Sequence, residues 1–91
     1  MLFRSHRTTE GFWKRFEILP DSVQTLARKN YQLLEENPRY PSLHFKSLTG
    51  HNPPLWSVRV GRSYRALAIE EGGLIYWFWI GTHDEYDRII G

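Results

Sequence analysis

An α+β domain is predicted for this chain from three features. Two amphipathic helical stripes lie in its first 37 residues and are broken at Pro20. A long connection rich in Pro, Gly and Asn follows. Three apolar runs then fill Trp56–Ile80, separated by two Gly-containing breaks, and a last helical stripe closes the chain. At 91 residues there is room for one core, so residues 1–91 are expected to form one domain. The arrangement expected is an N-terminal edge strand, an αα-hairpin packed on an antiparallel sheet, and a short C-terminal helix.

Met1–Ser5 is read as the edge strand. Thr8 or Thr9 suits the N-cap of a first helix. Phe12, Phe16 and Leu19 then fall at i, i+4 and i+7 on one stripe, with Trp13 beside it. Pro20 ends that helix. Asp21 is expected to cap the next, with Gln24 at the capping-box position. Val23, Leu26, Ala27, Tyr31 and Leu34 make its stripe, Leu33 lies at the edge, and Asn37-Pro38 stops it. The hairpin Thr8–Asn37 needs an apolar surface to lie on. Residues 42–54 are read as a long loop, which in a compact domain is often functional. Its His44, Lys46 and His51 are each read first as solvated loop residues. His44 and Lys46 share a side if residues 44–48 are extended.

The sheet is expected from residues 55–60, 63–70 and 74–81. Trp56, Val58 and Val60 alternate with Ser57 and Arg59, the period of a strand with one buried face. Gly61-Arg62-Ser63 reads as a hairpin loop. That loop length sets Val60 against Tyr64, Arg59 against Arg65, and Val58 against Ala66. Two arginines directly opposite each other repel. An anion bound between them would remove that penalty, or each pairs with a nearby carboxylate, or both snorkel to solvent; the sequence leaves these open. Leu74–Ile80 is apolar throughout, as in a strand buried on both faces. The final helix starts at Thr82, with Glu85 at the capping-box position and Tyr86, Ile89 and Ile90 as its stripe. It is expected to cover the Leu67/Ile69 side of the sheet.

Composition narrows the function. No apolar run approaches the roughly 18 residues of a membrane span, and no secretory signal opens the chain. Zero cysteines exclude disulfides and Cys-zinc sites, in keeping with a cytoplasmic protein. A net charge of +2 is compatible with nucleic acid without pointing to it. Phosphate-loop, dinucleotide, nucleophile-elbow and zincin motifs are absent, and His6, His44, His51 and His83 lack metal-ligand spacing. No cofactor and no metal are expected.

What remains is a constellation: Arg59 and Arg65 on strands, Arg62 on the hairpin loop, Lys46 on the long loop, and His83, Asp84, Tyr86 and Asp87 at the last helix. Cationic groups beside an acid–base His suit phosphodiester cleavage. The arginines neutralise charge building on the phosphorane, and His83 moves a proton near neutral pH. The 2′-hydroxyl of RNA is itself a nucleophile. Tyr86 fits the helix stripe as readily as a catalytic role.

"LP" between the helices, "NP" after the second, "W-x-V-R-V-G" followed by "Y-R" on the hairpin, and "IGTHDEYD" at the end together resemble the RelE/ParE superfamily of type II toxin–antitoxin toxins. The resemblance implies a fold like that of a compact microbial ribonuclease. It also implies an enzyme that cuts mRNA in the ribosomal A site and is silenced by a cognate antitoxin. The ParE branch implies instead a toxin that poisons DNA gyrase, and a catalytically inactive antitoxin-binding relative is the further alternative. By this resemblance Arg65 matches the strand arginine at the scissile phosphate, and Arg59 a basic strand position. His83, Asp84 and Tyr86 match the catalytic stretch of the HigB-like branch. Arg59, Arg62 and Lys46 would bind substrate. Ser57 stands where the best-known branch has a lysine.

Overall fold

The computed structural model describes residues 5–91. A five-stranded sheet is built from β1 (Ser5–Thr8), β2 (Lys46–Leu48), β3 (Leu55–Val60), β4 (Tyr64–Glu71) and β5 (Leu74–Thr82), in the order β1-β5-β4-β3-β2. Helices α1 (Glu10–Glu17) and α2 (Asp21–Glu36) follow β1, and α3 (His83–Ile90) ends the chain.

The β3–β4 register is the expected one, with Val60 against Tyr64, Arg59 against Arg65 and Val58 against Ala66. Gly61 makes the turn possible through its backbone, and an added Cβ would also displace the Leu26 side chain. Its φ is +65°, and a Cβ there would sit 2.7 Å from Leu26 Cδ2. Gly72 and Gly73 both have positive φ, the geometry of the tight turn that matches strand twist.

Every side of β5 is covered, as its unbroken apolar run requires. Ile75, Trp77 and Ile80 lie in the core beneath α1 and α2, with Phe12, Phe16, Leu34, Val58, Val60 and Ala66. Trp79 packs on the opposite face with Leu67 and Tyr86, beneath α3. Trp77 and Trp79 would share a face in a regular strand. A bulge prevents this: Leu67 pairs with Trp79 and Ala68 with Trp77, leaving Phe78 as the extra residue. The period-2 reading of β5 holds only on either side of it.

Three expectations are corrected. The expected edge strand Met1–Ser5 falls largely on Met1–Arg4, which lie outside the described residues; the first strand described is Ser5–Thr8. It pairs with β5 in parallel, so the sheet is mixed rather than wholly antiparallel. The chain leaves β1 straight into the helices and then runs through three consecutive antiparallel pairings, β2–β3, β3–β4 and β4–β5, and β5 ends alongside β1 in the same direction. Residues 42–54 are not a plain loop. Pro41–Leu43 is a 3-10 turn that buries Leu43, and β2 adds to the sheet edge beside β3. Asp21 does not cap α2. Pro20 holds the cap position, and Gln24 turns back to donate to the carbonyls of Leu19 at 3.0 Å and Glu17 at 3.3 Å. Asp21 contributes only its charge to the first turn.

His6 gives the fold an acid-sensitive point. The Trp77 indole N–H donates to His6 Nδ1 at 3.1 Å, and the two rings stack with centroids 6.1 Å apart. Burial holds the His6 pKa below its ordinary value, with Glu35 pulling weakly the other way. The unfolded chain therefore takes up the proton first. Stability is full above about pH 6.5 and is lost as pH falls from there toward the lowered folded value. Urea unfolding at pH 7.5 and 5.5 should show this loss. His6→Gln, which keeps an acceptor but does not titrate, should show less of it.

Candidate functional site

The site forms where the β3–β4 turn meets the junction of β5 and α3. A hollow of about 400 Å³ is lined there by Arg62, Ser63, Tyr64, Arg65, Thr82, His83 and Asp84. Four sequence-derived candidates, Arg62, Arg65, His83 and Asp84, thus share one cavity. Arg59 lies directly across from Arg65 on the adjacent strand.

The two arginines define its electrostatics. Arg59 Nε is buried without a hydrogen-bond partner. Among the described residues neither Arg59 nor Arg65 is within ion-pair distance of a carboxylate. The choice left open by the sequence therefore falls away from the carboxylate-paired arrangement. Arg65 Nη1 donates to the Tyr64 carbonyl at 2.8 Å. Burial, and then the facing Arg59, pull the Arg65 pKa below the usual guanidinium value, while Tyr86 and Asp87 pull it back. Two like charges held together on a sheet leave room and potential for an anion.

Helix α3 is fixed at its first turn. The Thr82 hydroxyl accepts from Glu85 N–H at 3.1 Å, and Glu85 Oε1 accepts from Thr82 N–H at 2.9 Å, completing the expected capping box. These bonds, with Arg15 nearby, hold the Glu85 carboxyl below the usual range. His83 N–H donates to the Ser63 carbonyl at 2.7 Å, tying α3 to the β3–β4 turn.

His83 Nδ1 lies 3.2 Å from Asp87 Oδ2, one helical turn on. An imidazole donating from Nδ1 to a carboxylate keeps Nε2 free as an acceptor. Asp87, not Asp84, is therefore the partner of His83, a role that the sequence constellation leaves unassigned. The signal was present in the i, i+4 spacing. Asp84 is exposed on the wall of the hollow. His83, Asp84 and Asp87 offer ligand atoms that all lie within 4.8 Å of one another, a set able to hold a cation.

Tyr86 is only 6% exposed and packs against Leu67 and Trp79. It does not line the hollow, and it favours the charged form of Arg65. Lys46 does not line the hollow, but β2 sets it directly across from Ser57. Cross-strand partners point to the same face, so a lysine stands beside the position that Ser57 fills.

Gly81 keeps this corner packed. A Cβ there would lie 2.6 Å from the Trp79 ring and 2.8 Å from Glu85 Oε1. Gly81→Ala should cost about 1–3 kcal/mol by overpacking. Urea unfolding should record that loss, with weakened amide protection in α3.

A family model described as the ParE-like toxin domain matches residues 21–88. The chain therefore belongs to the ParE-like toxin family, within the RelE/ParE toxin superfamily, and its class is that of a toxin of toxin–antitoxin systems. Its fold is similar to that of the toxin in the RelB–RelE antitoxin–toxin complex of Methanococcus jannaschii. That match has a TM-score of 0.72 at 14% identity, over 93% of this chain and 99% of that one. YafQ of E. coli matches with a TM-score of 0.70 at 14% identity, over 91% and 97% of the two chains. The isolated E. coli RelE toxin matches at 0.63 and 15% identity, over 96% and 95%. No curated protein sequence matches the chain. Among the described residues no helix is long and apolar enough to cross a membrane.

Proposed function

We propose that this toxin is a ribosome-dependent mRNA endoribonuclease that inhibits translation in the cytoplasm. The observation that carries the reading is Arg65, faced across the hairpin by Arg59 and without an ion-pair partner among the described residues, lining one hollow with a carboxylate-oriented His83. The arginines would take the scissile phosphate. His83 Nε2, freed by the Nδ1–Asp87 contact, would accept the 2′-hydroxyl proton as the 2′-oxygen bonds to phosphorus. The bond from phosphorus to the 5′-oxygen then breaks, and His83 returns the proton to that oxygen. The products are a 2′,3′-cyclic phosphate and a 5′-hydroxyl. This step supplies its own nucleophile and calls on no metal or cofactor. Tyr86 and Asp87 would hold Arg65 in place, Asp84 and Arg62 would border the substrate, and Lys46 would supply charge beside Ser57.

A second reading, gyrase inhibition, draws on the ParE-like description of the family model and on Ser57. The His83–Asp87 couple has no evident use in it. The test is to add purified protein to ribosomes stalled on a defined mRNA and to map the ends. Cleavage leaving a cyclic phosphate or 3′-phosphate is expected. RNA that stays whole on ribosomes while DNA gyrase is trapped would overturn the reading.

The partner follows from the other face. A groove of about 410 Å³ between the helices and the sheet is lined by Phe12, Trp13, Ala27, Arg28, Tyr31 and Trp77, among others. Trp13 is 38% exposed at its edge, with the Arg28 guanidinium 5.8 Å above its ring. A segment of the cognate antitoxin would fill it, with Trp13 as an anchor. Trp13→Ala should weaken binding of the antitoxin by about 2 kcal/mol or more, as read by calorimetry. Unchanged affinity would place the antitoxin elsewhere.

A further inference from the structure

The catalytic turn is held from the far side of the molecule as well as from its own strand. Arg15 belongs to α1, on the opposite face of the sheet from α3. Its Nε donates to the Ile80 carbonyl at 3.2 Å, and its Nη2 lies 3.5 Å from Glu85 Oε2. Its guanidinium sits 5.2 Å from the centre of the Trp79 ring. One side chain therefore grips the strand end, the ring beneath it and the carboxylate of the next helix. The other oxygen of that carboxylate closes the capping box on Thr82, the residue immediately before His83. Only a planar fork meets a carbonyl and a carboxylate together in this way.

This ion pair adds little to stability. Its side chains are 39% and 41% exposed, and surface pairs of that kind contribute little. The Ile80–Glu85 segment, by contrast, carries His83, and nothing else on α1 has a hydrogen bond to that segment among the described residues. The contact has small energetic value and a directed geometric one.

We propose that Arg15 is a positioning residue for His83: through Glu85 and the Ile80 carbonyl it sets where the first turn of α3 stands over the hollow. The inference rests on the ribonuclease reading for its catalytic consequence, though not for its structural one. Arg15 does not line the hollow, so substrate binding should be untouched while the proton-transfer geometry suffers.

The test compares Arg15→Met with Arg15→Lys, Glu85→Gln and the double variant Arg15→Met/Glu85→Gln. Misplacement of a reacting group by about 1 Å costs up to ~10²-fold in rate. Arg15→Met should therefore lower kcat by about 10- to 100-fold with KM unchanged. Arg15→Lys should recover only part of the loss, because it lacks the fork. The double variant should be no worse than the more affected single one. Amide exchange supplies a readout independent of activity. In Arg15→Met the amides of His83 and Glu85 should exchange faster, while those of β3 and β4 keep their protection. Unchanged kcat, a loss confined to KM, or losses that multiply in the double variant would overturn the proposal. Should the unmodified protein leave ribosome-bound mRNA whole, the ribonuclease reading fails, and exchange alone decides the positioning. Unchanged exchange at His83 and Glu85 would then refute it. If Arg15→Met does not fold, Arg15→Lys carries the same comparison.

Discussion

Arg65→Ala is expected to lower the rate of mRNA cleavage by about 10²–10³-fold, the usual cost of removing one donor aimed at developing charge. Growth arrest on induction should disappear with it. Arg65 sits between Arg59 across the hairpin and the backbone of Gly81 on β5. Among the described residues its side chain donates only to the adjacent Tyr64 carbonyl. Little of the core depends on it, so the melting temperature and antitoxin binding should be near those of the unmodified protein. Relief of the Arg59–Arg65 repulsion should even offset part of any packing loss. Arg65→Lys tests charge against shape. A lysine keeps the charge but not the planar fork, and should recover only part of the rate. Full activity in Arg65→Ala would remove the phosphate from this site.

His83→Ala is expected to cost about 10²–10⁴-fold in cleavage rate, the usual range for a lost general acid–base. The pH dependence of the remaining rate should flatten, because the general acid–base group has gone. Asp87→Asn should act in the same direction with a smaller effect, since it leaves the imidazole in place and removes only the carboxylate that orients it. The capping box does not use the His83 side chain, so α3 should remain folded in both variants. A gyrase-directed toxin would behave otherwise, and both substitutions would then be nearly silent.

The parts of this fold legible in the sequence were those with a repeated signal. The β3–β4 register followed from the loop length and the strict alternation from Trp56 to Val60. The capping box at Thr82 and Glu85 followed from residue type and spacing. What was not legible had too little sequence to carry a period or depended on distant partners. β2 is three residues long. The described β1, SHRT, contains no apolar residue and is fixed by the edge that β5 offers. The bulge at Phe78 cannot be seen in a strand that is apolar at every position. At the site, Arg59, Arg65 and His83 stood out by chemistry. Asp87 was overshadowed by Asp84, which is adjacent to His83 in sequence but not its partner in space. Arg15 carried no signal at all, because its partners Ile80 and Glu85 lie 65 and 70 residues away.

The measurement that bears most directly on the proposed activity is induction of the protein in cells, followed at once by mapping of transcript ends and by assay of DNA supercoiling. The ribonuclease reading predicts mRNAs cut within translated regions, ends that carry a cyclic phosphate or 3′-phosphate, and unchanged supercoiling. Whole transcripts in arrested cells, with DNA broken by trapped gyrase, would contradict it.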